Sequence, residues 1–163
     1  MKEPDRSIIR KVALGSPAGW VVFGFGSGLS PWAPGTMGTL VAVPFALLLK
    51  SLGSAWFWGI LVLAFCLGTI LCDRASKRLG VHDHGAIVWD EMVGYWLAVA
   101  LVPLHWHWFL AAFVLFRLFD IFKPWPISQL DKKINGGFGI MVDDAVAGLY
   151  TMVLLAAVGY IRL

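Results

Sequence analysis

An all-α, polytopic membrane helix bundle is the fold class predicted for this chain, and three observations predict it. Hydrophobic residues make up 59% of its 163 positions, with nine Trp and eleven Phe, and the mean hydropathy is +0.77, too apolar for a soluble domain. Formal charge is sparse, at 14%, and gathers in a few places. Long stretches carry none: Val12 to Leu49, Ser51 to Cys72 and Met92 to Phe116. Since about 20 apolar residues cross a hydrocarbon layer near 30 Å, the chain has room for about four to five short or spanning helices in a single domain, residues 1–163.

Residues 1–11 form a polar, basic lead with no apolar run of signal-peptide type, so this lead is expected to stay on the mature protein. Gly24 to Gly38 (GFGSGLSPWAPGTMG) holds five glycines and two prolines and reads as a glycine-rich loop. A short apolar helix follows from Thr39 to Leu49, with Pro44 as a possible kink. Ser51 to Cys72 is the cleanest span, ended by Asp73, Arg74, Lys77 and Arg78. A polar loop leads to Glu91. Pro103 and the HWHW at His105 to Trp108 divide the next apolar stretch into two helices, about Met92 to Pro103 and Trp108 to Phe122, the second stopped by Pro124. The last helix is placed from Asp144 to Ile161. Cys66 and Cys72 share one apolar run without metal-ligand spacing and read as packed small hydrophobes.

The basic residues set the orientation. Lys2, Arg6, Arg10 and Lys11, then Arg74, Lys77 and Arg78, then Lys123, Lys132 and Lys133 fall in the lead or in every second loop, as cytoplasmic segments do. That topology puts the glycine loop, Asp90, Glu91, Asp120, Asp143 and Asp144 on one membrane face. The net charge of +3 suits anionic lipid headgroups, and there is no basic stripe of the kind nucleic acid needs.

Charge at a membrane is costly, so acids gathered at one depth point to a function. Asp90, Glu91, Asp120, Asp143 and Asp144 offer hard oxygen ligands without thiolates, which favours Mg²⁺ over zinc. Arg117, Asp120 and Lys123 follow at helical spacing, so cations for phosphate oxygens stand beside the metal ligands. Metal ligands with phosphate-binding cations are the pattern of phosphoryl chemistry. The bland alternative is that the acids cap helices and that Arg117 with Asp120 is a structural ion pair. Ser27 and Thr36 add hydroxyls to the glycine loop, whose backbone N–H groups are able to approach an anion. A loop that only closes helices against each other explains the glycines equally well. His84 is a candidate ligand or general acid, with a bystander role in a polar loop as the bland alternative. The loop has no GK[ST] and is not a Walker A sequence.

Four stretches in order, GFGSGLSPWAPGTMGT, VHDHGAIVWDE, FRLFDIFKPWPI and GGFGIMVDDAVAG, resemble the A-type phosphatidylglycerophosphate phosphatases, bacterial inner-membrane enzymes of phospholipid synthesis. The resemblance covers Val22 to Gly148, with Thr39 where Ser is expected. It implies Mg²⁺-dependent hydrolysis of phosphatidylglycerophosphate to phosphatidylglycerol and phosphate. It also implies that Asp90, Glu91, Asp120, Asp143 and Asp144 are the metal and catalytic carboxylates, with Lys123 and Arg117 on the phosphate. Attack by water and an aspartyl-phosphate intermediate both stay open.

Rival classes are separable. An ion-coupled transporter, the main alternative, places its acids near the midplane and often in repeated halves, and no repeat is evident here. A CDP-alcohol phosphatidyltransferase run and the motifs of PAP2-type phosphatases are both missing. A scaffold or assembly subunit without catalysis is the remaining alternative, and phosphate release from phosphatidylglycerophosphate with and without Mg²⁺ separates it from the enzyme.

Overall fold

The computed structural model describes residues 4–161; Lys2 of the basic lead and Arg162 lie outside them. The described residues are helical: α1 (Arg6–Leu14), α2 (Pro17–Val22), α3 (Pro34–Ser51), α4 (Ser54–Leu79), α5 (Trp89–Ala98), α6 (Trp106–Phe122), α7 (Ile127–Lys133) and α8 (Gly136–Ile161), with a 3-10 turn at Gly24–Leu29. Among them, α3, α4 and α8 are long and apolar enough to cross a membrane. The chain is a membrane protein of the expected class.

α5 is the hub. Asp90, Met92, Val93, Gly94, Tyr95, Trp96 and Ala98 are all buried on it, and α3, α4, α6 and α8 pack around it. Its ten residues rise only about 15 Å, half a hydrocarbon layer. Both of its ends therefore stop inside protein and need partners there. At the C-terminal end the Lys50 ammonium donates to the carbonyls of Val99 and Ala100, each at 2.9 Å. At the N-terminal end Asp90 and Glu91 occupy the first turn, where negative charge complements the helix dipole. The Tyr95 hydroxyl donates to the Phe109 carbonyl at 3.0 Å and Trp96 Nε1 to the Ala42 carbonyl at 3.1 Å, tying α5 to α6 and α3.

Glycines let the helices approach. A Cβ on Gly148 of α8 would collide with the backbone carbonyl of Gly94, and one on Gly94 would meet the Asp144 carbonyl and the Phe116 ring at 2.8 Å. Helices in lipid gain stability from such close backbone contact, since lipid tails are as apolar as leucine. The contact has a second effect. Asp144 lies one turn before Gly148 and Asp90 one turn before Gly94, so the meeting of two glycines also brings two carboxylates together.

Several boundaries differ from the sequence reading, and for α3 and α8 the physical reason is the same. α3 starts at Pro34, inside the stretch read as a loop over Gly24 to Gly38, and α8 starts at Gly136, eight residues before the expected Asp144. Proline is well suited to a first helical position. Gly35 and Gly38 face Glu91, Arg117 and Val88, while Gly137 lies against Thr69 and Asp73 of α4. These glycines mark close packing of helices, not chain breaks. α4 also runs on through its charged end to Leu79, about two turns past Cys72. Two short helices, α1 and α7, went unread in the polar segments. Cys72 is buried as expected, whereas Cys66 is exposed.

Candidate metal and phosphate site

The site lies where α3, α5 and α8 begin and α4 and α6 end. Hydrogen bonds fix this end of the bundle: the Gly136 N–H donates to His82 Nε2 at 2.7 Å, and the Gly137 N–H to Asp73 Oδ1 at 3.3 Å. Both close the start of α8, whose first N–H groups have no intrahelical partner. Asp143 and Asp144 then stand two turns inside α8, level with the recessed start of α5. This replaces the expectation that they stand at a helix start.

Three carboxylates converge. Asp90, Glu91 and Asp144 each offer an oxygen within 4.8 Å of the others. Asp90 is 6% exposed and Asp144 3%, so repulsion between them is not screened by water. Asp90 Oδ1, Glu91 Oε2 and Asp144 Oδ1 are buried without a hydrogen-bond partner. Buried polar atoms are normally satisfied, and three orphaned anionic oxygens aimed at one region fit a cation better than they fit an empty core. The donors are hard oxygens from carboxylates alone, which suits a divalent cation of that preference.

The other two acids carry cations instead. Arg117 Nη1 bonds Asp120 Oδ2 one helical turn along α6 and lies 3.7 Å from Glu91 Oε1, while Arg117 Nε is buried without a partner. Lys123, the residue that ends α6, donates to Asp143 Oδ2 at 2.7 Å and to Asp131 Oδ1 at 2.8 Å. Asp143 Oδ1 also accepts the Asp144 N–H at 3.0 Å. Partial burial pulls the Lys123 ammonium down, but the two carboxylates outweigh it and hold its pKa above the ordinary lysine range. The arrangement is a three-carboxylate centre with two paired cations, Arg117 and Lys123, beside it.

The remaining sequence candidates separate. Gly35 lies against Glu91 and Arg117, so the start of α3 forms one wall, with half-buried Thr36 next to it. The Ser27 hydroxyl is engaged by the Gly24 carbonyl at 2.7 Å. His84 Nδ1 accepts the Ala86 N–H at 3.1 Å, and the residue lines a cleft beside the site. Asp131 was missed: it sits in a polar segment where nothing in the spacing singled it out, and only the fold of α7 onto α8 brings it to Lys123.

Fold and site together define a polytopic membrane protein with an acidic, cation-competent centre recessed at one end of its bundle. The chain belongs to the phosphatidylglycerophosphatase A family, whose pattern matches residues 20–159. It is 44% identical to the phosphatidylglycerophosphatase A of Escherichia coli strain K12 over 92% of this chain and 88% of that one. It is 46% identical to the protein of the same name in Haemophilus influenzae, over 96% of this chain and 97% of the relative. No solved structure matches.

Proposed function

We propose that this protein, acting as one catalytic unit over residues 1–163, hydrolyses phosphatidylglycerophosphate to phosphatidylglycerol and inorganic phosphate with Mg²⁺ as cofactor. The observation that carries the reading is the set of three unpartnered carboxylate oxygens, buried together among apolar helices and flanked by Arg117 and Lys123. Asp90, Glu91 and Asp144 would hold the cation. When bound, Mg²⁺ offsets the charge of a phosphoryl group and makes water easier to deprotonate. Lys123 and Arg117 bind the phosphate oxygens. Asp143 and Asp120 hold those two cations in position, and one carboxylate of the group accepts the proton of the attacking water.

The acyl chains of the substrate lie among the helices, and its headgroup reaches the recessed centre from the membrane surface. We place that surface on the cytoplasmic side of a bacterial inner membrane. Arg74, Lys77, Arg78, Lys123, Lys132 and Lys133 lie at the site end, against Lys50 alone at the far end among the described residues. Family membership adds support, and nothing favours the transporter reading.

The test is phosphate release from phosphatidylglycerophosphate by the purified protein in neutral detergent, with Mg²⁺ and with a chelator. Release that needs the cation supports the reading. Absence of release from this lipid under all cation conditions sinks it.

A further inference from the structure

A cleft of about 960 Å³ opens beside the acidic centre, between α1 on one side and the stretches 28–34 and 81–86 on the other. Arg6 and Arg10, one turn apart on α1, both line it, with Ser7, Ser30 and His84. No carboxylate pairs with either arginine among the described residues. The cleft adjoins the centre through Pro34, whose neighbour Gly35 touches Glu91 and Arg117. Asp83 also lies on its wall.

Two further observations say what this cleft would hold. Ile8, on the opposite side of α1 from Arg6, is 47% exposed, and Trp32 at the rim of the 28–34 stretch is 82% exposed. Tryptophan is enriched at the membrane interface, so an exposed Trp at this rim fits a cleft whose two arginines meet lipid headgroups. Secondly, the substrate of the proposed reaction carries two phosphates, a monoester to be cleaved and a diester that is kept. Arg117 and Lys123 already face carboxylates, so they are matched to the monoester at the acidic centre and leave the diester without a cation.

We propose that the cleft is a phosphodiester subsite, in which Arg6 and Arg10 bind the retained phosphate of a glycerophospholipid while its monoester occupies the centre. The subsite rests on the reading that the protein is a phosphatase of phosphatidylglycerophosphate. It gives that reading a basis for selectivity: a lipid whose single phosphate is the monoester cannot fill it.

The test uses the full-length protein in neutral detergent and the diester product, as dihexanoyl phosphatidylglycerol, with inorganic phosphate as a second probe. In the pair Arg6→Gln with Arg10→Gln, the dissociation constant for the short-chain lipid is expected to rise about tenfold or more, with inorganic phosphate binding unchanged. Arg6→Lys with Arg10→Lys should restore most of the lipid affinity. In turnover, the Gln pair should raise KM for phosphatidylglycerophosphate and leave kcat nearly unchanged. Unaltered lipid binding in the Gln pair, no measurable lipid binding by wild type, or equal loss of both probes would overturn the subsite. Wild-type protein that releases phosphate while the Gln pair binds lipid normally removes the subsite alone. A wild type that releases none removes the underlying reading too.

Discussion

Glu91 is pulled two ways, with Oε1 3.7 Å from the Arg117 guanidinium and Oε2 buried without a partner. A carboxylate half-answered by a cation and half-orphaned is a poor structural ion pair and a good ligand. If so, Mg²⁺ binds the folded state and stabilises it by mass action. The melting temperature of wild type should rise with Mg²⁺, and that rise should shrink or vanish in Glu91→Gln. Lys123 gives a second test. Lys123→Ala leaves Asp143, 5% exposed, without its cation, a loss of about 1–3 kcal/mol in stability by chemical denaturation. Lys123→Arg should keep most of both stability and activity. Because the Lys123 pKa is raised, its ion pairs are fully present below the ordinary lysine range and are lost only as pH rises past the raised value. Thermal stability of wild type and Lys123→Arg should therefore run parallel from about pH 6 to 9.

Elements were legible wherever hydropathy alone decides them, and misread wherever glycine did. The apolar runs that became α5 and α6 were placed to within a few residues at their starts, because charge and Pro124 punctuate them. Gly35, Gly38 and Gly137 looked like loop residues, yet lie in helices where neighbouring atoms leave no room for a side chain, and Gly136 opens α8 at a φ of +78°. That constraint belongs to the partner helix and is invisible in the local sequence. It also moved Asp143 and Asp144 from a helix start to two turns inside. Likewise, the acids of the site were legible as scarce charge in an apolar chain, but their division was not. Which three converge, and which two face Arg117 and Lys123, depends on the α5 to α8 contact at Gly94 and Gly148. Gly148→Val should force these helices apart, costing about 1–3 kcal/mol and lowering phosphate release further than the stability loss explains. Gly59→Val on α4, where a Cβ meets nothing within 4 Å, should leave release unchanged.

At the scale of the molecule, one short buried helix held by longer ones makes a recess in an apolar body, and the recess opens at the end that carries the basic residues. The proposed orientation, with the site end cytoplasmic, rests on the positive-inside rule and is open to labelling in cells. In a background without Cys66 and Cys72, Gly80→Cys should react only with reagents that reach the cytoplasm, and Leu104→Cys with reagents added outside the inner membrane. The depth of the acids is what ties fold to chemistry, since carboxylates this far from water need a cation to be tolerated near a phosphate. The most direct measurement is phosphate release from phosphatidylglycerophosphate against free Mg²⁺, for wild type and Asp144→Asn at matched melting temperature. Release by wild type should saturate with Mg²⁺, stop with chelator and resume on adding the cation back, and in Asp144→Asn it should fall by about two orders of magnitude or more. Full release in chelator, or an Asp144→Asn protein as active as wild type, would contradict a three-carboxylate cation site at the heart of this bundle.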